Sequence, residues 1–176
     1  MGIDLAAKST RPTGVALLDD DTLIARTCTL YEDADVLSHV AGARLAAIDA
    51  PLSVDSGRPC DRLLKKYGTM PLVLPPILAL ARRGIRIAKA LRAAGHDVIE
   101  VFPTATAKIL GFFRPDKLKM RVPLRRLGVK IVPQKVTIHE LDAVLAAYTG
   151  LLYLRGLARP VGDERGAIVV PSISRS

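Results

Sequence analysis

Three aspartates occur where an uncompensated charge would be costly, and together they suggest metal chemistry. Asp4 interrupts a short apolar segment, Asp49 follows the apolar run Leu45-Ala46-Ala47-Ile48, and Asp142 lies too deep in a helical segment to cap it. Burying an ionised carboxylate without a partner is expensive, so each is expected to be paired, neutral or bound to a metal ion. For Asp4 or Asp49 alone, a structural carboxylate that caps a turn or pairs with arginine is the alternative.

An oxygen-only set of ligands suits Mg²⁺ or Mn²⁺ and not zinc, which prefers cysteine and histidine. Two such ions stabilise both the entering and the leaving oxygen when a phosphodiester is displaced in line. His139 shares a helical face with Asp142 and either assists proton transfer at this site or is an exposed polar residue. Glu100 ends a predicted strand and either binds a metal through water or pairs with an arginine. The predicted catalytic residues are therefore Asp4, Asp49, Asp142 and His139, and the predicted metal ligands are the three aspartates with Glu100.

The segments that carry these residues predict an α/β fold. Strand patterns occur at residues 2–7, 15–18, 23–31, 45–49 and 97–102, and helical patterns at 33–43, 77–94 and 138–154. The first three strands are separated by polar turns, which is typical of an antiparallel meander. The handedness of crossover connections then puts strands four and five parallel to strand one. The prediction is a five-stranded mixed sheet in the order 3-2-1-4-5, flanked by helices, with residues 167–170 able to add an edge strand.

The last predicted helix combines a capping box with a face of small residues. Thr137 is placed at the N-cap and Glu140 three residues later, so each side chain can bond the backbone of the other. Small residues follow at Ala143, Ala146, Ala147 and Gly150, and they allow the helix to approach a sheet closely. Asp142 is therefore expected to face a crowded surface.

The chain is strongly basic, and its charge is concentrated in one segment. Of 176 residues, 26 are Lys or Arg and 17 are Asp or Glu, a formal net charge of +9. Residues 108–135 hold nine of these cations and one acid, which predicts contacts with the phosphate backbone of a nucleic acid. The residues expected to make such contacts are Lys8, Arg114, Lys117, Lys119, Arg121, Arg125, Arg126 and Lys130. A second basic set, Arg82, Arg86 and Lys89, follows helical spacing and is interpreted as a solvated helix face.

Length and composition exclude several classes of protein. A 49% hydrophobic content supplies a core, so we expect a single domain over residues 1–176, with a basic irregular insertion at about 104–135. No apolar run approaches the roughly 20 residues that cross a bilayer, and an acid at position 4 argues against a signal peptide. Two cysteines make no disulfide framework, which favours a cytoplasmic location. The absence of Asn, with Gln134 as the single Gln, suggests a hot habitat.

The order of these motifs resembles the RNase H-like nuclease superfamily. It shares with that superfamily an Asp on the first strand, a meander, an Asp on the fourth strand and His-x-x-Asp-Ala on the last helix. Among its members, the Holliday-junction resolvases carry a similar Asp/His-x-x-Asp pattern on the final helix. The chain resembles more closely an uncharacterised family of predicted nucleases with this fold. The matching segments are Gly2-Ile3-Asp4, Ile48-Asp49-Ala50-Pro51-Leu52, Cys60-Asp61-Arg62, Glu100-Val101-Phe102-Pro103, His139-Glu140-Leu141-Asp142-Ala143, Gly162-Asp163, Gly166 and Ile168-Val169-Val170-Pro171.

The resemblance implies an RNase H-like fold and a metal-dependent nuclease acting on structured DNA or RNA. One departure bears on geometry, because strand four of the resolvases usually carries Glu where this chain has the shorter Asp49. A resolvase-like enzyme needs two active sites to cut two strands, so a homodimer is a further expectation. Two alternatives stay open. The first is a phosphotransferase of the actin and sugar-kinase type, with Lys8, Ser9, Thr10 and Gly14 holding a phosphate. The second is a nucleic-acid-binding protein without catalysis.

Overall fold

A mixed β-sheet forms the centre of the molecule. The structure, a computed structural model, describes residues 1–55 and 57–172, and eight strands occur in these ranges. They are β1 (Gly2–Asp4), β2 (Thr13–Leu18), β3 (Ile24–Leu30), β4 (Leu45–Asp49), β5 (Asp97–Val101), β6 (Lys130–Val132), β7 (Ala158–Asp163) and β8 (Gly166–Pro171). Their order across the sheet is β6-β3-β2-β1-β4-β5-β8-β7. The chain is thus an α/β protein.

The prediction of a five-stranded sheet is wrong. The five expected strands lie side by side in the order β3-β2-β1-β4-β5, with β1, β4 and β5 parallel and β1, β2 and β3 antiparallel. However, β6 extends one edge beyond β3, and the β7–β8 hairpin extends the other beyond β5. The additional strands were hard to predict because β6 has three residues and β7 contains Pro160 and Gly162, which are depleted in strands. Proline is tolerated in β7 because this strand lies at the sheet edge.

Helices cover both faces of this sheet. They are α1 (Asp33–His39), α2 (Pro59–Leu63), α3 (Pro75–Ala93), α4 (Pro103–Ile109), α5 (Arg121–Arg126) and α6 (Ile138–Leu154), with short 3₁₀ segments at Lys65–Tyr67 and Lys117–Met120. One face packs Ile3 and Ile48 against Ile87 and Leu91 of α3. On the opposite face, α6 packs with residues of the basic segment, among them Met120, Leu124 and Val129. The segment 104–135 therefore contributes to the core as well as to the charge.

Helix α6 lies unusually close to the sheet. A Cβ atom added to Gly2 would fall on the backbone of Ala143 and Ala147, and one added to Gly14 would fall on the backbone of His139 and Glu140. Because Gly14 is the register partner of Asp4 on the neighbouring strand, this contact brings the start of α6 next to Asp4. In the ranges that the structure describes, no helix is both long and apolar enough to cross a membrane.

Candidate metal centre

Two of the aspartates meet at the carboxyl ends of the central parallel strands. Asp4 ends β1, Asp49 ends β4, and the two residues are register partners. Side chains alternate along a strand, so Ile3 and Ile48 enter the core on the α3 face while Asp4 and Asp49 lie on the α6 face. Asp4 has 15% of its side chain exposed and Asp49 is half-buried. The predicted juxtaposition of these two carboxylates is present.

Helix α6 brings the other two residues to the same place. His139 Nδ1 lies 2.7 Å from Asp4 Oδ2, and the imidazole keeps 48% of its surface exposed. Asp142, one turn further along, has a side chain only 7% exposed. The register of the helix is fixed by the predicted capping box, in which the Thr137 hydroxyl accepts from the Glu140 amide and Glu140 accepts from the Thr137 amide. The capping-box prediction is confirmed.

Burial and mutual repulsion make this cluster electrostatically costly. Burial raises the pKa of Asp4, Asp49 and Asp142, and that of Asp49 lies well above its ordinary value. The negative charges of Asp4 and Asp142 raise the pKa of Asp49 further, and Asp142 does the same to Asp4. A hydrogen bond from His139 opposes this rise at Asp4. The three carboxylates therefore lie close enough for their charges to repel one another.

Lys117 is the cation that faces this cluster. Its ammonium group donates a hydrogen bond to Asp142 Oδ2, and its charge lowers the pKa of Asp4, Asp49 and Asp142. Lys117 was expected to contact substrate phosphate, whereas the structure pairs it with an acidic residue. The other oxygen, Asp142 Oδ1, is buried and has no hydrogen-bond partner within the described part of the chain. A buried carboxylate oxygen without a partner is rare, and a water molecule or a metal ion can satisfy it.

The donor set fits a hard divalent ion, although its ligands are not yet arranged around one. Carboxylate oxygens from Asp4, Asp49 and Asp142 are the preferred ligands of Mg²⁺, and the partnerless Asp142 Oδ1 is available for coordination. Within residues 1–55 and 57–172, no group of three His, Cys, Asp or Glu side chains has the geometry to hold a metal directly. Since the Lys117 ammonium group bonds Asp142, binding a metal at this carboxylate requires that contact to rearrange.

Glu100 is held by an arginine that the sequence analysis missed. Arg58, with a fully buried side chain, donates to Glu100 Oε1 at 2.6 Å and to Oε2 at 2.9 Å, and Leu52 N–H donates to Oε2 at 2.8 Å. Arg58 also bonds Asp61, at 2.9 Å. Two roles were predicted for Glu100, a pair with an arginine or a metal contact through water. The structure contains the pair, with Arg58, and the metal contact stays a prediction. No local pattern marks Arg58, because its partner lies 42 positions away.

A second missed residue, Arg83 of α3, fixes the segment that follows Asp4. Its buried guanidinium donates to Ala6 O at 2.8 Å, to Tyr31 O at 2.7 Å and to Asp33 Oδ1 at 2.8 Å. The neighbouring Arg86 is exposed and also bonds Asp33. Arg83 was hidden in the sequence among the exposed cations of the same helix.

The remaining residues predicted to bind nucleic acid lie at or near the surface. Exposed side chains are those of Lys8, Arg114, Lys119, Arg125, Arg126 and Lys130, and Arg121 is half-buried. Lys119 lies 3.5 Å from Asp116, a weak surface pair. These cations remain accessible to an anionic partner, and phosphate binding by them stays a prediction.

Comparison with known proteins gives no family assignment. A scan against protein-family models, a search of curated proteins and a search of solved structures each found no match to this chain.

Proposed function

We propose that this protein is a metal-dependent nuclease of RNase H-like fold that hydrolyses phosphodiester bonds in structured DNA or RNA. One observation carries the proposal: three carboxylates with raised pKa values, Asp142 buried and the other two partly buried, meet on one face of the sheet. One oxygen of Asp142 has no partner among the described residues. The central strand order β3-β2-β1-β4-β5, with α6 packed across β1 and β2, supports the fold assignment. Strands β6, β7 and β8 are then additions at both edges.

In this proposal Asp4, Asp49 and Asp142 hold Mg²⁺ or Mn²⁺. Bound divalent ions would lower the pKa of water and stabilise negative charge on the phosphate. Asp4 accepts a hydrogen bond from His139 Nδ1–H, which orients the imidazole and fixes its tautomer. Because half of this ring is exposed, its second nitrogen can face the leaving oxygen. It donates a proton there when both ring nitrogens carry one, and in the neutral Nδ1–H tautomer it can only accept a proton.

Lys117 and the basic segment provide the positive charge around the site. Lys117 neutralises Asp142 and, once released from it, can face the substrate phosphate. The exposed cations of 108–135 lie on the chain segment immediately before α6, so they can bind the phosphate backbone on that side of the cluster.

A nucleic-acid-binding protein without catalysis is the second candidate. The ion pair between Lys117 and Asp142 favours it, because this contact gives a metal-free cluster a compensating charge. The two candidates differ in whether divalent ions bind and whether phosphodiesters are cleaved.

The test is cleavage of a panel of linear, flapped and four-way-junction DNA and RNA substrates in Mg²⁺ and in Mn²⁺. Wild-type protein should cleave at least one substrate, and Asp4→Asn should lower the cleavage rate by more than roughly 100-fold. Loss of a residue that only hydrogen-bonds to a metal ligand already costs up to about 100-fold in activity, and loss of a ligand should cost more. Asp21→Asn, which removes an exposed carboxylate in a turn, is the matched control and should be unchanged. An Asp4→Asn variant as active as wild type would exclude this mechanism.

A further inference from the structure

We propose that a cavity beside the aspartate cluster binds one unpaired nucleotide of the substrate, with its phosphate on Arg62, Lys65 and Arg165 and its base against Met70 and Val73. The inference rests on the proposed nuclease function and narrows its substrate class. The cavity has a volume of about 500 Å³ and is formed by α2, the loop that follows it and the β7–β8 turn. Binding sites for small molecules have volumes of roughly 300–1,000 Å³, so this cavity is large enough for a whole nucleotide.

This nucleotide cavity shares a wall with a second cavity that one member of the aspartate cluster, Asp49, lines. A smaller cavity of about 120 Å³ is lined by Asp49 and Glu100. Both cavities share the side chains of Arg58, Asp61, Thr69 and Met70 as a common wall. Glu100 and Asp61 hold Arg58 from two sides, which fixes this part of the wall. A nucleotide bound in the larger cavity would therefore have its neighbouring phosphodiester close to Asp49.

The charge of the cavity favours an anion. Its lining includes four cations, Arg58, Arg62, Lys65 and Arg165, and one carboxylate, Asp61. Arg58 is neutralised by Asp61 and Glu100, and Arg165 is paired with Asp163 at 2.8 Å. The side chains of Arg62 and Lys65 are exposed and form no hydrogen bond or ion pair with any residue that the structure describes. Two uncompensated cations three positions apart on one wall suit a phosphate group.

The other wall is apolar and accessible. Met70 is 56% exposed and Val73 is 70% exposed, and Pro71 and Leu72 complete this side of the cavity. A phosphate ion alone needs neither this apolar surface nor this volume, whereas a nucleobase can pack on the flexible methionine side chain. Bases inside a continuous duplex are stacked and cannot enter. The substrate is therefore expected to present an unpaired nucleotide, as in a flap, a strand end or an open junction.

Titration calorimetry with adenosine monophosphate and with inorganic phosphate, both in EDTA, tests this assignment. Wild-type protein should bind the nucleotide at least about tenfold more tightly than phosphate. The double variant Arg62→Ala/Lys65→Ala should lose at least about tenfold in nucleotide affinity, because hydrogen bonds to charged groups are the stronger ones. The matched control Arg82→Ala/Lys89→Ala removes two exposed cations from α3 and should stay within about twofold of wild type.

A further variant separates the base from the phosphate. Met70→Ala should lower the affinity for the nucleotide and leave the affinity for phosphate unchanged. Equal affinities for nucleotide and phosphate, no nucleotide binding, or equal losses in the two double variants would each overturn the assignment. Because metal is absent and Asp4 is intact in these titrations, such a failure would leave the nuclease proposal standing. Conversely, full activity of Asp4→Asn would refute the nuclease without affecting nucleotide binding in the cavity.

Discussion

Replacement of Gly14 by alanine should disrupt the site without removing any of its functional groups. Gly14 lies on β2 beside Asp4, and its missing Cβ leaves room for the backbone of His139 and Glu140. The neighbouring atoms belong to backbone, so they cannot rotate away as the end of a side chain can. Helix α6 would have to retreat by about 1 Å to restore an ordinary contact.

The size of the effect follows from this displacement. Overpacking of this kind costs about 1–3 kcal/mol of unfolding free energy, which lowers Tm by roughly 2–12 °C in a chain of this length. The bond between His139 Nδ1 and Asp4 Oδ2, 2.7 Å long, would stretch beyond hydrogen-bonding distance. A displacement of about 1 Å can cost on the order of 100-fold in rate, so cleavage should fall by about that factor.

Gly150→Ala is the matched control for Gly14→Ala. Gly150 lies on the same helix against the same sheet, but its Cβ would lie at nearly ordinary distances, 3.3 Å from Ala47 Cβ and 3.4 Å from Leu45 Cδ2, so a shift of a few tenths of an ångström is enough. Alanine also favours a helix over glycine by about 1 kcal/mol, so Tm should hold or rise. Calorimetric Tm values and cleavage rates of both variants test this reasoning. An unchanged Gly14→Ala protein, or equal losses in the two variants, would refute it.

Three further predictions concern charge. Lys117→Met leaves Asp142 unpaired and should lower the unfolding free energy by about 1–3 kcal/mol at pH 7, and in thermal melts Mg²⁺ should raise Tm more than in wild type. The pKa of Asp49 is raised in the folded state, so ionisation of this carboxyl lowers the stability of the fold as the pH rises above 3.8. Asp49→Asn should therefore have a higher Tm than wild type at pH 7, and the difference in Tm should disappear below pH 3.8. Arg58→Met leaves Glu100 buried without its partner and should cost about 3–5 kcal/mol in urea unfolding; a cost as small as that of an exposed arginine would contradict the ion-pair assignment.

The juxtaposition of Asp4 and Asp49 could be predicted because it depends only on local patterns and a topological rule. Two apolar segments read as strands, one interrupted by Asp4 and one ending in Asp49, and the handedness of crossovers makes them parallel neighbours. The structure ends the first strand at Asp4, before the predicted end at residue 7. The capping box at Thr137 was equally local, since both partners lie within three residues. These features place Asp142 and His139 on a known face of α6.

The contacts that neutralise charge could not be predicted in this way. Lys117 bonds Asp142 across 25 positions and Arg58 bonds Glu100 across 42, and neither pair leaves a periodic signal. In a chain with 26 basic residues, sequence alone does not separate the buried arginines from the solvated ones. The edge strands were missed for a related reason, because β6 and β7 are stabilised by pairing with neighbours and not by strand-like composition.

Titration of Mn²⁺ into the wild-type protein and into Asp142→Asn, followed by calorimetry, tests the central claim most directly. If the aspartate cluster is a metal centre, wild-type protein binds Mn²⁺ and Asp142→Asn loses at least about tenfold in affinity, while Asp21→Asn binds as wild type does. Absence of Mn²⁺ binding in the wild type, or equal binding by Asp142→Asn, would contradict the assignment of these carboxylates to a metal.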